Sequence, residues 1–155
     1  MLLDKRKYYE ILFQTLYVSY FTSLDKEVIS FVMEKLKVTR KNVLSAYEYV
    51  SKLLEKKEEI SQLIDQSVED YALNRIPLVE RTILLLAFFQ ILFDEDFPDK
   101  VAMAEAIRLA RKFSTKEAGA FINGVLDDLY NKKQKLIKEN NSPSDLIDLL
   151  ATTSL

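Results

Sequence analysis

Clustered cations are the residues of this sequence whose spacing best suits a chemical task. Lys5, Arg6 and Lys7 follow one another near the start of the chain. Lysine and arginine bind phosphate groups, which supply much of the affinity of a protein for nucleic acid. The triplet is therefore a candidate phosphate-binding site. Short basic runs are also common on protein surfaces, and the net charge of −2 argues against a protein coated in basic surface.

A second group of cations lies farther along the chain and consists of Lys100, Arg108, Arg111, Lys112 and Lys116. Arg108, Arg111 and Lys112 are spaced i, i+3 and i+4, so they share one face of a helix. Two interpretations remain open. The cations bind phosphates, or they complement the dipole at the carboxyl end of their helix.

Aromatic residues are numerous, with 8 Tyr and 9 Phe but no Trp. Aromatic side chains among cations can stack on unpaired RNA bases. Most of them lie in apolar stripes, so packing in the core is the default interpretation. Tyr8, Tyr9 and Tyr17 differ because they neighbour the basic triplet along the same segment.

Catalytic groups are scarce. Without Cys or His, the chain has no disulfide, no thiolate or imidazole metal site and no Ser-His-Asp triad. Its 24 Asp and Glu residues scatter along polar faces instead of clustering. We therefore expect no enzyme activity, no cofactor and no metal.

Nothing in the sequence predicts insertion into a membrane. The first residues lack the charged and then uniformly apolar pattern of a signal peptide. The most apolar stretch, Ile83 to Phe93, has about half the length that spans a bilayer. With cysteine also absent, a cytoplasmic location is expected.

Helices must position these residues, because apolar residues recur at three- and four-residue steps along the whole chain. The 2 Gly and 3 Pro leave little material for hairpins. Five predicted helices run from Lys5 to Phe21, from Thr39 to Leu54, from Ile60 to Asn74, from Val79 to Phe93, and from Asp99 to Phe113. Two more begin after N-caps, one at Asp25 and one at Ser114 or Thr115. The helix from Val79 is apolar on nearly every face and should therefore be buried. The charge run at residues 55–59 is either a turn or a solvated helical face.

The length of 155 residues fits one domain with a sizeable core. We assign residues 1–139 to a single helical domain. Residues 140–155 are predicted to form a flexible or weakly docked tail, in which Leu146, Ile147, Leu149 and Leu150 could form a short docking helix.

Four blocks between Val79 and Asp127 resemble the NusB family. They are VERTILLLA from Val79, FPDKVAMAEA from Phe97, the pair Phe113-Ser114, and FINGVLD from Phe121. Their order and spacing are similar to the family's V-E-R-x-I-L-x-L-A, I-P-x-K-V-A-I-N-E-A, K-F and F-V-N-G-V-L-D. Glu10, Leu16 and Tyr17 match the family's R-E-x-x-x-Q-x-L-Y opening more loosely.

The resemblance implies an all-α, seven-helix bundle of two packed helical subdomains. It also implies an antitermination factor that acts with RNA polymerase, pairs with the ribosomal protein NusE, and binds boxA-type RNA in nascent ribosomal RNA transcripts.

Site residues follow from the same resemblance. The RNA-binding set is Lys5, Arg6, Lys7, Lys116, Glu117 and Phe121, to which the cation pattern adds Lys100. The residues facing NusE are Tyr17 and Glu80. The family's opening is richer in arginine, and lysine lacks the planar fork of arginine. Weaker RNA affinity or a stronger dependence on NusE is therefore expected.

Two other functions remain open at this stage. One is a helical module that forms homodimers or binds proteins, with little RNA binding. The other is a NusB-like domain related to those of RNA cytosine methyltransferases. A methyltransferase would also need a strand pattern and a glycine-rich cofactor loop, neither of which is present in this sequence.

Overall fold

A computed structural model describes residues 4–68, 75–139 and 142–152, and all regular structure in these ranges is helical. The helices are α1 (Lys5–Val18), α2 (Lys26–Leu36), α3 (Arg40–Glu55), α4 (Lys57–Val68), α5 (Leu78–Phe93), α6 (Asp99–Phe113), α7 (Lys116–Lys138) and α8 (Pro143–Thr152). The predicted all-α class is confirmed. The described ranges contain eight helices, one more than the family resemblance implies, because α8 follows the seven that periodicity predicts. The end of the predicted fourth helix, residues 69–74, lies outside the described residues, as do Asn140 and Asn141.

The chain divides into two compact units, Met1–Lys56 and Lys57–Leu155. In the first unit α1, α2 and α3 pack against one another. The predicted N-cap at Asp25 is confirmed, since its Oδ1 accepts hydrogen bonds from the Glu27 and Val28 amides at 3.0 and 3.1 Å. Helix α1 ends at Val18, three residues before the predicted end. There the Ser19 hydroxyl donates a hydrogen bond to the Leu16 carbonyl. This bond satisfies one of the carbonyls that the last turn of a helix leaves without a helical partner.

The charge run at residues 55–59 contains a turn. Helix α3 ends at Glu55, and the Lys56 amide bonds back to the Leu53 carbonyl at 2.9 Å. Helix α4 begins directly at Lys57, so the remaining charges lie on its first turn.

The second unit is built around α5, which packs against α4, α6, α7 and α8. Its residues are buried from Thr82 through Leu92 without interruption, as predicted for a helix that is apolar on every face. Pro77 stands one residue before the helix as its N-cap. At that position its missing amide hydrogen costs no helical hydrogen bond.

Helices α6 and α7 form a hairpin with only Ser114 and Thr115 between them. Thr115 is the N-cap of α7, with its Oγ1 accepting from the Ala118 amide at 3.0 Å. At the other end of the hairpin, Lys133 of α7 donates to both Asp99 oxygens at 2.8 and 3.0 Å and to the Ile91 carbonyl at 2.7 Å. One ammonium group therefore joins the end of α5, the start of α6 and the body of α7.

Helix α8 packs against α4, α5 and α7, with Leu146 and Leu150 buried. Its start is fixed by Asp145, whose Oδ2 accepts from the Ser142 amide at 2.7 Å and from the Ser142 hydroxyl at 2.9 Å. These bonds hold the pKa of the Asp145 carboxyl below its ordinary value, because they stabilise its charged form. The assignment of residues 1–139 to one domain and of the rest to a tail stays a prediction.

Candidate nucleic-acid interface

The basic opening, which we define as Lys5, Arg6 and Lys7, forms the first turn of α1. Asp4 caps this turn by accepting a hydrogen bond from the Arg6 amide at 3.1 Å. Lys5 and Arg6 are exposed and Lys7 is half-buried. The amino end of a helix carries a positive partial charge, so three cations there oppose the helix dipole. The helix dipole therefore does not favour this placement.

Tyr17 lies in the last turn of α1 and is half-buried. Its ring stacks on Phe13, with centroids 5.9 Å apart, and meets Phe21 edge-on at 5.2 Å. Phe21 follows the helix and is 66% exposed. Tyr17 is therefore the middle member of an aromatic row that ends at the surface of the first unit.

The α6–α7 corner, which we define as residues 111–121, carries three of the predicted RNA-binding residues. Lys116 and Glu117 are exposed on the first turn of α7, directly after the Thr115 cap. Phe121 is half-buried one turn farther on. The first two turns of α7 therefore carry a cation, an acceptor and an aromatic ring.

Glu80 of α5 supports this corner through a hydrogen bond to Ser114. It lies in the first turn of α5, is 7% exposed, and its Oε1 accepts a hydrogen bond from the Ser114 hydroxyl. The carboxylate thereby holds Ser114, the residue that follows the end of α6. Its predicted role as a residue facing NusE stays a prediction, and the burial means that little of the side chain is at the surface.

Lys100 lies at the opposite end of α6 from the corner. Its Nζ is 5.8 Å from the ring centroid of Tyr130 on α7, within the range of a cation–π contact. The fifteen-residue length of α6 separates it from Lys116 by about 20 Å at the usual helical rise. The cation pattern placed both residues in one RNA-binding set, and the structure does not bring these two together.

The candidate residues thus fall into three groups. The basic opening and Tyr17 belong to the first unit, Lys116, Glu117 and Phe121 form the corner of the second, and Lys100 stands at the far end of α6. Sequence reasoning missed the supporting roles of Ser114 and Lys133. Each of these side chains bonds to a residue 34 positions or more away, a distance for which helical periodicity gives no signal.

Among the described residues no group of three or more carboxylates is placed to hold a metal ion. In the same ranges, none of the helices is both long enough and apolar enough to cross a membrane.

The structure defines a small all-helical protein with exposed cations on each of its two units. The NusB family model matches residues 6–131 of the chain, and the chain belongs to the NusB family. It is 30% identical to the transcription antitermination protein NusB of Methylacidiphilum infernorum over 131 residues, which cover 83% of this chain and 91% of that protein.

Solved structures support the same fold. T. maritima NusB superposes with a TM-score of 0.67 and 27% identity, covering 96% of this chain and 99% of that one. A structure of the antitermination factors NusB and NusE in complex with dsRNA also gives a TM-score of 0.67, at 22% identity, over 82% of this chain and 96% of that one. This second likeness concerns the fold alone.

Proposed function

We propose that this protein is a cytoplasmic, non-catalytic transcription antitermination factor that binds boxA-type RNA together with the ribosomal protein NusE. The family match carries the proposal because it runs from Arg6 to residue 131. It therefore includes most of the basic opening and the whole α6–α7 corner. The relative named above is an antitermination protein, and a related fold has been solved with NusE and dsRNA.

Each group of candidate residues has a distinct physical role in the proposal. The basic opening and Lys116 contact phosphates, which set affinity and sensitivity to salt. Phe121 stacks on an unpaired base, and Glu117 accepts hydrogen bonds from base edges.

Lys100 contacts the same RNA only if the strand extends along α6. Because α6 separates Lys100 from the corner by about 20 Å, a single bound nucleotide does not meet both.

We assign one contact with NusE to each unit: the aromatic row at the end of α1 in the first unit, and the region of Glu80 in the second. Tyr17 and the exposed Phe21 offer the kind of aromatic surface that protein interfaces favour. NusE docked there completes the RNA site, and the assembly acts on elongating RNA polymerase.

The test is a filter-binding titration of a short boxA RNA, with and without NusE, over a range of salt concentrations. We compare the wild type with the triple variant Lys5→Ala, Arg6→Ala, Lys7→Ala. If the three cations contact phosphates, the slope of log affinity against log salt falls by about 2, and affinity at low salt falls by about tenfold or more.

A matched control removes the same charges elsewhere in the first unit, through Lys35→Ala, Arg40→Ala and Lys41→Ala. All three residues are exposed. The control should retain most of the wild-type affinity. Equal losses of affinity in the two triple variants would show a nonspecific charge effect and contradict the proposed site. If the wild type does not bind the RNA even with NusE, the proposed function is rejected.

A homodimerising module is the second candidate, and exposed aromatic side chains in the first unit favour it. Phe21 is 66% and Phe31 56% exposed, and large exposed apolar side chains are frequent at interfaces. Sedimentation of the wild type and of the double variant Phe21→Ser, Phe31→Ser tests this. A dimer that becomes a monomer in the variant, combined with no RNA binding, would favour the second candidate.

A further inference from the structure

The side chain of Arg111 lies beside Gly119 inside the α6–α7 corner. A Cβ atom built on Gly119 would lie 3.1 Å from the Cγ of Arg111 and 3.3 Å from its Nε. Gly119 is buried although Arg111 is exposed. The absence of a side chain at Gly119 therefore lets the arginine stem lie directly on the backbone of α7.

The three cations on this face of α6 differ in what they contact. Arg108 is tied to Glu105, with Nε and a terminal nitrogen 2.8 and 2.7 Å from Oε2. Lys112 lies over the ring of Phe113, 5.5 Å from its centroid. Within the described ranges the Arg111 guanidinium has neither a hydrogen bond nor an ion pair. Arg111 is thus held in place along its stem, while its charged group stays available.

Helix stability does not account for this arrangement. A cation near the last turn of α6 can complement the dipole of that helix wherever its side chain points. Such an effect needs no glycine on α7. Glycine within a helix also costs about 1 kcal/mol relative to alanine, so Gly119 weakens α7 where it stands.

We propose that Arg111 is a phosphate-binding residue of the RNA surface and that Gly119 positions it. The inference rests on the proposed function. A guanidinium binds a phosphodiester through two parallel hydrogen bonds, and holding its stem beforehand lowers the entropy lost on binding. Lys116 lies three residues before Gly119 and so on the same face of α7, where it supplies a second cation for the same strand.

The experiment measures binding of the boxA RNA with NusE, as above, for five variants. Arg111→Gln should lower affinity about fivefold at low salt and reduce the salt slope by about 0.7, the value for one phosphate contact on a single strand. Arg111→Lys keeps the charge and loses the fork, so its slope is retained and its affinity falls about twofold. Arg40→Gln, a matched change on the exposed surface of the first unit, should leave both values unchanged.

Gly119→Ala tests the positioning role, because it changes no charge. Alanine should stabilise α7 as a helix, so circular dichroism should show no loss of folding. The added Cβ displaces the Arg111 stem, and affinity should fall two- to threefold. The double variant Arg111→Gln, Gly119→Ala should bind no worse than Arg111→Gln, since the two residues act through one contact.

The outcomes separate this inference from the function on which it rests. Wild-type affinity in Arg111→Gln would overturn the inference and leave the proposed function standing. An equal loss from Gly119→Ala with and without Arg111 would overturn the positioning role. No binding by the wild type would remove both the proposed function and the inference.

Discussion

The basic opening and the α6–α7 corner present similar charges but are held in place in different ways. The Asp4 side chain caps the opening by accepting a hydrogen bond from the Arg6 amide, two residues along the chain. The corner is fixed by Glu80, which accepts from Ser114 across 34 positions of sequence. The opening therefore depends on a local cap, while the corner depends on the packing of three helices. We expect substitutions at supports of the second kind to cost more stability.

The largest effect is expected at Lys133, which supports the other end of the hairpin. Lys133→Met keeps the apolar stem but leaves the Asp99 carboxylate, 15% exposed, and the Ile91 carbonyl without their shared donor. We expect the free energy of unfolding to fall by about 2–3 kcal/mol in urea denaturation.

Lys132→Met is the matched control on the neighbouring residue. Lys132 pairs with Asp128 on the same helix, and both side chains are 46% exposed. Exposed pairs of this spacing contribute about 0.5 kcal/mol or less. Similar losses in the two variants would contradict the view that the long-range contact holds the hairpin.

The same contrast explains what the sequence could predict. Helix positions and caps depend on neighbours within four residues. The sequence could therefore predict the buried α5 and the N-cap at Asp25, and it narrowed the N-cap of α7 to Ser114 or Thr115, of which the structure shows Thr115. Contacts between helices do not leave such a pattern. For this reason the burial of Glu80 and its hydrogen bond with Ser114 emerge only from the structure.

A smaller effect is expected at Ser114. Ser114→Ala removes the donor to the buried Glu80 carboxylate and should destabilise the protein by about 1–2 kcal/mol. The control is Ser51→Ala, because the Ser51 hydroxyl donates to the Tyr47 carbonyl one turn back in its own helix. That change should cost less than about 0.5 kcal/mol, since the carbonyl keeps its helical partner. Thermal unfolding of both variants decides the point, and equal melting temperatures would show that Ser114 does not support the corner.

The smallest effect concerns Asp4, and it separates structure from charge in the basic opening. Serine caps helices about as well as aspartate, so Asp4→Ser should change the free energy of unfolding by less than about 0.3 kcal/mol. The substitution also removes a negative charge next to three cations. If those cations meet RNA phosphates, affinity for the boxA RNA should rise about twofold at low salt, and the gain should shrink as salt screens the charges.

Asp4→Ala removes the cap as well, which should cost about 0.5–1 kcal/mol and let the first turn fray. If affinity rises more in Asp4→Ser than in Asp4→Ala, the opening binds RNA as an ordered helical turn. Equal gains would mean that its charge alone matters, and unchanged affinity in both variants would place the RNA elsewhere on the protein.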